Sequence, residues 1–320
     1  MQRQLQRYGT LIGFGLLIVG FWLALPSTFM TARNLLNITQ QMSMLAVVAF
    51  TMTIVMAAGD FDLSAGSMAS LAGIVAAVVF KATGSVPLGL CVALAAGLVG
   101  GLINGGLVAI VRLLPFVATL GTLTIYSGFA FWLSGGKTLF GSEIPASFSG
   151  FARGGIPLSP AEDALKLPNL TLTAVAVLMA SAFLLQHLIT GRHLYVIGSN
   201  IEAARLAGVR VRALRILAFG LSGLGAAGAG LMYASRVASA NPTQGSGLML
   251  DAIAAVFLGM TMSREGEPRV LHTLIGVLIL GVLSNGLTQL SIDSYVRDML
   301  VGAIIIVAVT IGSLGQLKGD

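Results

Sequence analysis

Long apolar runs separated by short polar segments dominate this chain. Apolar runs near 20 residues match the ~30 Å hydrocarbon thickness of a bilayer when they are helical, so each run predicts a membrane span. The third and eighth runs are short for a full crossing. The ten predicted spans are 9–26, 36–58, 66–80, 87–110, 115–134, 170–190, 213–234, 247–262, 270–290 and 296–314. The pattern predicts an all-α integral membrane protein with a single transmembrane domain over residues 1–320.

Composition supports the same class. The chain is 56% hydrophobic and only 9% charged, whereas soluble proteins carry roughly 25% charged residues. Its 41 glycines agree, because small residues let transmembrane helices pack closely. The net charge of +6 comes from basic residues at the ends of apolar runs. Membrane orientation accounts for that placement, so we predict no nucleic-acid partner; lipid surrounds the chain.

The basic residues also predict orientation. Arg3 and Arg7 precede the first run, and no convincing small-residue cleavage site follows it. We therefore expect an uncleaved first span. With ten spans both termini lie on one side, together with the dense basic cluster at 192–215. Because cytoplasmic loops are enriched in Lys and Arg, we expect both termini in the cytoplasm; an odd number of spans would change this for the far half.

Residues 198–208, GSNIEAARLAG, form a short charged segment between two apolar runs. Ser199 followed by Glu202 has capping-box spacing, and Gly208 suits the left-handed position that ends a helix. The charged segment therefore predicts a two-turn helix between spans, on the cytoplasmic side. An ordinary loop helix and a binding site for a partner outside the membrane both fit this pattern.

A weak internal repeat relates the two halves of the chain at an offset of 181 residues. Asn104-Gly105 corresponds to Asn285-Gly286 inside two apolar spans. Single glycine matches join Gly66 to Gly247, Gly100 to Gly281 and Gly121 to Gly302. Spans two to five would then correspond to spans seven to ten in inverted orientation, a plan that recurs in transporters. Coincidence in a Gly-rich chain is the alternative.

Acidic residues near the apolar spans are candidates for function. Asp60 and Asp62 lie in AAGDFDLSAGS, where the glycines and Ser64 predict a break that ends one helix and caps the next. Asp251 lies inside the eighth span. An ionised carboxylate in hydrocarbon costs at least about 2.5 kcal/mol. Asp251 must therefore face a polar interior, pair with a base, lie near a helix end or be protonated.

Amides and hydroxyls within the spans have two possible uses. Asn104, Asn285 and Thr119 could hydrogen-bond across helices or line a polar path. The single cysteine, Cys91, excludes an intramolecular disulfide and a thiol-rich metal site. Neither a metal-ligand cluster nor a nucleophile with a base occurs in the sequence. We therefore predict no metal site, no catalytic residue and no enzymatic activity of the chain itself.

Several segments occur in the order of one known family. They are GDFDLSAGS at 59–67, GLINGGLVA at 101–109, PFVATLGTL at 115–123, GSNIEAARLAGV at 198–209, LSGLGAAGAGLMYASR at 221–236, NPTQGSGLMLDAIAAVFLG at 241–259 and LGVLSNGL at 280–287. Together they resemble the membrane permease subunits of bacterial ABC importers for monosaccharides, the ribose, arabinose and xylose type. Phe61 and SGGKTLFG at 134–141 look closest to the L-arabinose-type permeases.

The resemblance implies a subunit that imports a pentose-like sugar across the bacterial inner membrane by alternating access. A second permease copy, identical or different, would complete a dimer, and a periplasmic sugar-binding protein would deliver the cargo. The chain would bind no cofactor; ATP and Mg would bind a separate ABC ATPase with two nucleotide-binding halves. The cargo is neutral, so the resemblance implies a pathway lined by amides, hydroxyls and aromatic rings rather than fixed charge.

The resemblance also assigns roles to residues. Residues 198–208, within a cytoplasmic segment of about 191–213, would form the coupling helix that docks into the ATPase. The implied coupling residues are Ser199, Asn200, Glu202, Ala203, Arg205, Leu206 and Gly208. The pathway candidates are Asp60, Asp62, Ser64, Asn104, Thr119, Asp251 and Asn285.

One segment departs from the family pattern. The turn at 260–269 is more charged and has fewer glycines than in many members, which indicates either a different contact with the ATPase or another substrate. Two other functions stay open. One is a secondary, ion-coupled transporter that uses Asp60, Asp62 or Asp251. The other is a permease of the same family for a nucleoside or a signalling furanone.

Overall fold

The computed structural model describes residues 2–158, 165–263 and 266–316, and helices make up most of it. The helices are α1 (Gln2–Ala24), α2 (Ala32–Ala57), α3 (Ala65–Thr83), α4 (Val86–Ala109), α5 (Pro115–Ser134), α6 (Ala146–Arg153), α7 (Asn169–His187), α8 (Ile189–Ser199), α9 (Ile201–Leu206), α10 (Val211–Val237), α11 (Leu248–Met260), α12 (Val270–Gln289) and α13 (Ser294–Gln316). The strands are β1 (Leu139–Phe140), β2 (Gly155–Pro157), β3 (Lys166–Pro168) and β4 (Ser239–Ala240). Each of the ten predicted spans overlaps a helix.

Seven helices in the described ranges are long and apolar enough to cross a membrane: α2, α3, α4, α5, α7, α10 and α12. The apolar stretch Gly9–Ala24 of α1 and the 13-residue helix α11 are shorter. Helix α13 has 23 residues, most of whose later side chains lie outside the description. The all-α, multi-pass membrane fold is confirmed, and the count of ten spans stays a prediction.

Two contacts bring connecting segments together at one end of the helix bundle, which we call the basic end. The Tyr195 hydroxyl donates to the Pro268 carbonyl at 2.8 Å. Gly198 packs against the backbone at Gly59, so closely that a Cβ on Gly59 would stand 3.3 Å from the Gly198 Cα. The basic cluster at 192–215 therefore lies beside the break after α2 and the turn before α12.

The opposite end, which we call the loop end, holds the described parts of a long polar connection, residues 135–158 and 165–169. β1 pairs antiparallel with β4, with Leu139 opposite Ala240, and the Lys81 Nζ lies 2.8 Å from a Glu143 carboxylate oxygen. The glycines and prolines of this connection predict a loop, and the short helix α6 lies within it. The strands were not predicted, because two or three residues are too few to show an alternating pattern.

Helices α2 and α10 pack against each other in the centre of the bundle. Helix α10 also packs on α3 and α4, whereas α2 also packs on α11 and α12. Phe50 and Met52 of α2 and Phe219 of α10 are among the largest fully buried side chains. The two central helices thus hold the two halves of the chain together.

Glycine lets α4 approach α10 closely. Gly97, Gly101 and Gly105 are spaced four residues apart and therefore lie along one face of α4. A Cβ on Gly101 would collide with the carbonyl oxygen of Phe219, and a Cβ on Gly105 would stand 2.6 Å from the Ile216 Cα. Small residues at this spacing allow direct backbone packing, the main source of attraction between helices in lipid.

We expect Gly101→Ala to destabilise the protein by about 1–3 kcal/mol, because the added methyl group overpacks the α4–α10 contact. Gly106→Ala on the same helix is the matched control, since a Cβ there meets no atom within 4 Å. Thermal unfolding in detergent measures both variants. Equal unfolding temperatures would contradict the close packing of α4 on α10.

Candidate functional site

A buried ion pair joins the break after α2 to the start of α10. The Arg215 guanidinium donates to both carboxylate oxygens of Asp60, with 2.7 Å between Nε and Oδ2. Only 4% of the Asp60 side chain and 14% of the Arg215 side chain are exposed. Two parallel, charge-assisted hydrogen bonds fix both distance and orientation. The pair therefore holds the segment before α3 rigidly against α10.

Next to this pair, a chain of hydrogen bonds connects four helices. One oxygen of Asp62 accepts from the Ser64 N–H at 3.0 Å and hydroxyl at 2.7 Å, and the other accepts from the Ser222 hydroxyl at 2.7 Å. The Asn104 amide donates to the Ser64 hydroxyl at 2.8 Å and accepts from Thr122 at 2.7 Å. All five residues are buried. The chain ties the start of α3 to α4, α5 and α10.

The predicted break between α2 and α3 is confirmed, since α2 ends at Ala57 and α3 begins at Ala65. The expected side-chain cap on α3 is wrong: its N-cap residue, Ser64, makes no capping hydrogen bond. Instead Asp62 accepts from the Ser64 N–H, one residue before the helix. Thr119 lies 3.4 Å from the Phe61 carbonyl and 2.8 Å from its own-helix Pro115 carbonyl. The break is therefore satisfied inside the protein, as a bilayer requires.

Asn285 occupies a comparable position toward the loop end. Its side-chain oxygen accepts from Asn34 of α2 at 3.1 Å and from Gln289 of α12 at 2.7 Å. Asn104 and Asn285 thus each hydrogen-bond to a neighbouring helix. Whether either amide also lines a pathway stays a prediction.

Arg215 and Ser222 were not among the predicted site residues, although their positions in the sequence of α10 could have identified them. Arg215 lies farther into an apolar span than Arg210 and Arg212, and an unpaired charge there would be costly. Ser222 follows seven residues later, so it lies on the same face of α10. A charged residue and a hydroxyl on one face of an apolar helix could have been matched with the two aspartates.

The charged segment contains the predicted helix, α9, but its cap is different. Asn200 is the N-cap residue, and its side-chain oxygen accepts from the N–H groups of Glu202 at 3.1 Å and Ala203 at 2.9 Å. The predicted capping box of Ser199 is wrong. Ser199 is the last residue of α8, and its hydroxyl donates back to the Val196 carbonyl. Because α8 extends to Ser199, the N-cap of α9 is Asn200, one residue later than predicted.

The end of α9 agrees with the sequence analysis. Gly208 has a φ of +78°, the left-handed conformation that glycine adopts without strain. Glu202 and Arg205 form an exposed ion pair at 2.7 Å, and the Leu206 side chain is 91% exposed. Ala204, between them, is fully buried. The helix therefore packs on the bundle with one small residue and presents charged and apolar side chains outward.

Helix α8, which leads into the charged segment, makes two contacts with other parts of the bundle. Gly198 leaves no room for a side chain, because a Cβ there would meet the Ala57 carbonyl at the end of α2. Burial raises the pKa of Tyr195 to about 12, so its hydroxyl stays protonated and can donate to Pro268 before α12. Displacement of the charged segment would therefore act on α2 and α12 directly.

At the loop end, a cavity of about 670 Å³ lies between α2, α10, α11, α12 and α13. Asp251 stands in its wall, in the first turn of α11. The wall also contains Arg236, Arg297 and Asp298. The sequence resemblance implies a pathway without fixed charge. This wall differs from that expectation, since it has two arginines and two aspartates. Within the described ranges, His, Cys, Asp and Glu form no group of three or more suited to a metal ion.

The chain is similar to known permease proteins over nearly its whole length. Residues 34–309 match the family described as branched-chain amino acid transport system / permease component. The ribose import permease protein RbsC of Escherichia coli (strain K12) is 35% identical over 94% of this chain and 92% of its own length. RbsC of Bacillus subtilis (strain 168) is 34% identical over 95% and 92%, respectively.

The L-arabinose transport system permease protein AraH of E. coli (strain K12) is 34% identical over 95% of this chain and 89% of its own length. The resemblance to permease subunits of monosaccharide importers is confirmed. The preference for the L-arabinose type gains no support, because the identities to the ribose and arabinose permeases are nearly equal.

We expect Arg215→Gln to destabilise the protein by about 3–5 kcal/mol, since it leaves the Asp60 carboxylate buried without a counter-ion. Arg212→Gln, three residues earlier and exposed, is the control and should change stability by less than about 0.5 kcal/mol. Thermal unfolding of the two variants measures the difference. Similar unfolding temperatures would show that the pair does not hold α10 to the break after α2.

We expect Asn200→Ala to weaken α9 by about 0.5–2 kcal/mol, because two N–H groups lose their acceptor. Ser199→Ala should leave α9 unchanged, since the Ser199 hydroxyl bonds to α8. Hydrogen exchange at the amides of Glu202 and Ala203 measures both effects. Faster exchange in Ser199→Ala than in Asn200→Ala would restore the original capping assignment.

Proposed function

The chain belongs to the family of branched-chain amino acid transport system permease components, and we propose that it is the membrane subunit of an ATP-driven importer of a pentose-like monosaccharide. The observation that carries this proposal is similarity over more than nine-tenths of the chain to permeases named for ribose. The chain itself would not be catalytic. A separate ATPase with two nucleotide-binding halves would bind ATP and Mg.

In this proposal the basic end faces the cytoplasm and the loop end faces the periplasm, where a sugar-binding protein docks. Both termini are cytoplasmic, and the chain lies in the inner membrane. The basic cluster at 192–215 supports this orientation, because positive residues are enriched in cytoplasmic segments. A second permease copy, identical or different, completes the transporter.

The proposed contact with the ATPase is α9. Its outward surface combines Glu202, Arg205 and the exposed Leu206, a mixture that suits a protein partner better than lipid or water alone. Movement of α9 would reach α2 through Gly198 and α12 through Tyr195. This attachment supports a coupling role, in which closure of the ATPase shifts helices that line the path.

Helix packing supports the proposed inverted repeat. An offset of 181 residues places α2, α3, α4 and α5 on α10, α11, α12 and α13, with their ends matching to within four residues. The first helix of each half packs on helices of the other half: α10 packs on α3 and α4, and α2 packs on α11 and α12. Two related halves that rock against each other provide a physical basis for alternating access.

A secondary transporter remains the competing class. Two of its three candidate ion-coupling carboxylates are already engaged, since Asp60 is paired with Arg215 and Asp62 accepts three hydrogen bonds. These bonds favour a structural role for both aspartates over reversible ion binding. A family member for a nucleoside or a furanone differs only in cargo, and competition for the partner binding protein would separate these cargoes.

Reconstitution into liposomes tests the proposed function. We expect uptake of D-ribose, L-arabinose or D-xylose only when the ATPase, ATP and the binding protein are all present. The same liposomes carrying the permease alone under a proton or sodium gradient are the comparison. Uptake by the permease alone would establish a secondary transporter and exclude the importer.

Charge reversal on α9 tests the coupling contact in the same liposomes. We expect Glu202→Arg combined with Arg205→Glu to reduce ATP-driven uptake at least about tenfold, because docking surfaces depend on charge complementarity. Arg112→Glu, exposed at the basic end but outside α9, is the control and should retain uptake. Unchanged uptake and ATPase activity in the double variant would show that α9 is not the contact.

A further inference from the structure

The cavity at the loop end contains polar groups that the protein itself leaves without partners. Asp251 and Arg236 line this cavity, yet neither side chain has a hydrogen bond or an ion pair within the described residues. Gln41 and Tyr233, in the same wall, also make no side-chain hydrogen bond there. By contrast, the buried polar side chains of the break after α2 are bonded to one another. Partly buried charges that make no hydrogen bond in a membrane protein are costly and mark a functional site.

These four groups come from three separate helices. Gln41 belongs to α2, Tyr233 and Arg236 to the last two turns of α10, and Asp251 to the first turn of α11. They therefore line one space from three helices. The volume of about 670 Å³ lies within the range of roughly 300–1,000 Å³ that is typical of small-molecule sites.

The remaining charges of the wall set the class of ligand. Arg297 donates to Asp298 at 2.8 Å and lies near Ser284, and its positive charge also acts on Asp251. Two arginines and two aspartates together carry no net charge, so the cavity does not favour an ionic ligand. A guanidinium donor, a carboxylate acceptor and an amide match hydroxyl groups, which both donate and accept. The Tyr233 ring offers an apolar face for carbon-bound hydrogens.

We propose that this cavity within a single permease chain is a holding site for a neutral, polyhydroxylated molecule of monosaccharide size, with Arg236 and Asp251 as its main hydrogen-bonding residues. The identity of the cargo rests on the proposed import function, whereas the site itself rests on the cavity. The site lies near the loop end, so it would receive the molecule before the passage opens toward the basic end.

Protection of an introduced cysteine tests the site in the full-length permease without partner subunits. The variant Ser246→Cys, in a Cys91→Ser background, places one thiol in the cavity wall. The variant Ser142→Cys places one on the exposed loop as the matched control. Right-side-out membrane vesicles are treated with a water-soluble maleimide in the presence of D-ribose, L-arabinose, D-xylose or, as an osmotic control, sucrose.

We expect at least one pentose to slow labelling at position 246 by about tenfold at about ten times its dissociation constant. Labelling at position 142 should not change. Asp251→Asn or Arg236→Gln should each weaken protection by about tenfold in sugar concentration, because a charge-assisted hydrogen bond is lost. Arg153→Gln should leave protection unchanged, and thermal unfolding confirms that each variant is folded.

Two outcomes would overturn the holding site: labelling at position 246 that no pentose slows, or protection that persists in the folded Asp251→Asn, Arg236→Gln double variant. Failure of the import function gives a different result. In that case the complete system takes up no pentose in liposomes, although protection at position 246 is still observed. The two proposals can therefore fail separately.

Discussion

The buried pair of Asp60 and Arg215 is the interaction on which the basic end depends. A bilayer offers no water to satisfy a broken helix, so the interruption between α2 and α3 must find all of its partners inside the protein. Asp60 binds α10, and Asp62 extends the connection through Ser64 and Asn104 to α4 and α5. This network turns a gap in the helices into a rigid junction.

The junction also explains how an event outside the membrane can reach its interior. Gly198 packs on the end of α2, immediately before Asp60, and Tyr195 binds the turn before α12. Because α2 and α12 pack against each other, the contacts of α8 reach one packed pair of helices from two points. In the proposed function, the outward side of α9 would move with the helices beneath it, as a coupling element requires.

The two ends of the bundle differ in how their polar groups are satisfied. At the basic end, carboxylates, hydroxyls and amides bond to one another. At the loop end, Asp251 and Arg236 face a cavity, and neither side chain makes a hydrogen bond in the part of the chain that the structure describes. The first arrangement favours rigidity, and the second favours binding. This difference follows from packing, since both ends contain the same residue types.

The sequence by itself determined the fold class, the positions of the helices and the family, because apolar run length and ordered motifs are local properties of the chain. It also located α9 and the left-handed Gly208. It did not determine that Asn200 rather than Ser199 caps α9, since that depends on where α8 ends. Only the tertiary structure decided that Asp60 pairs with Arg215, 155 residues away, and that Asp251 faces a cavity. Partners brought together from distant helices leave no periodic signal, so a carboxylate that holds the fold and one that faces a ligand look alike until the helices are packed.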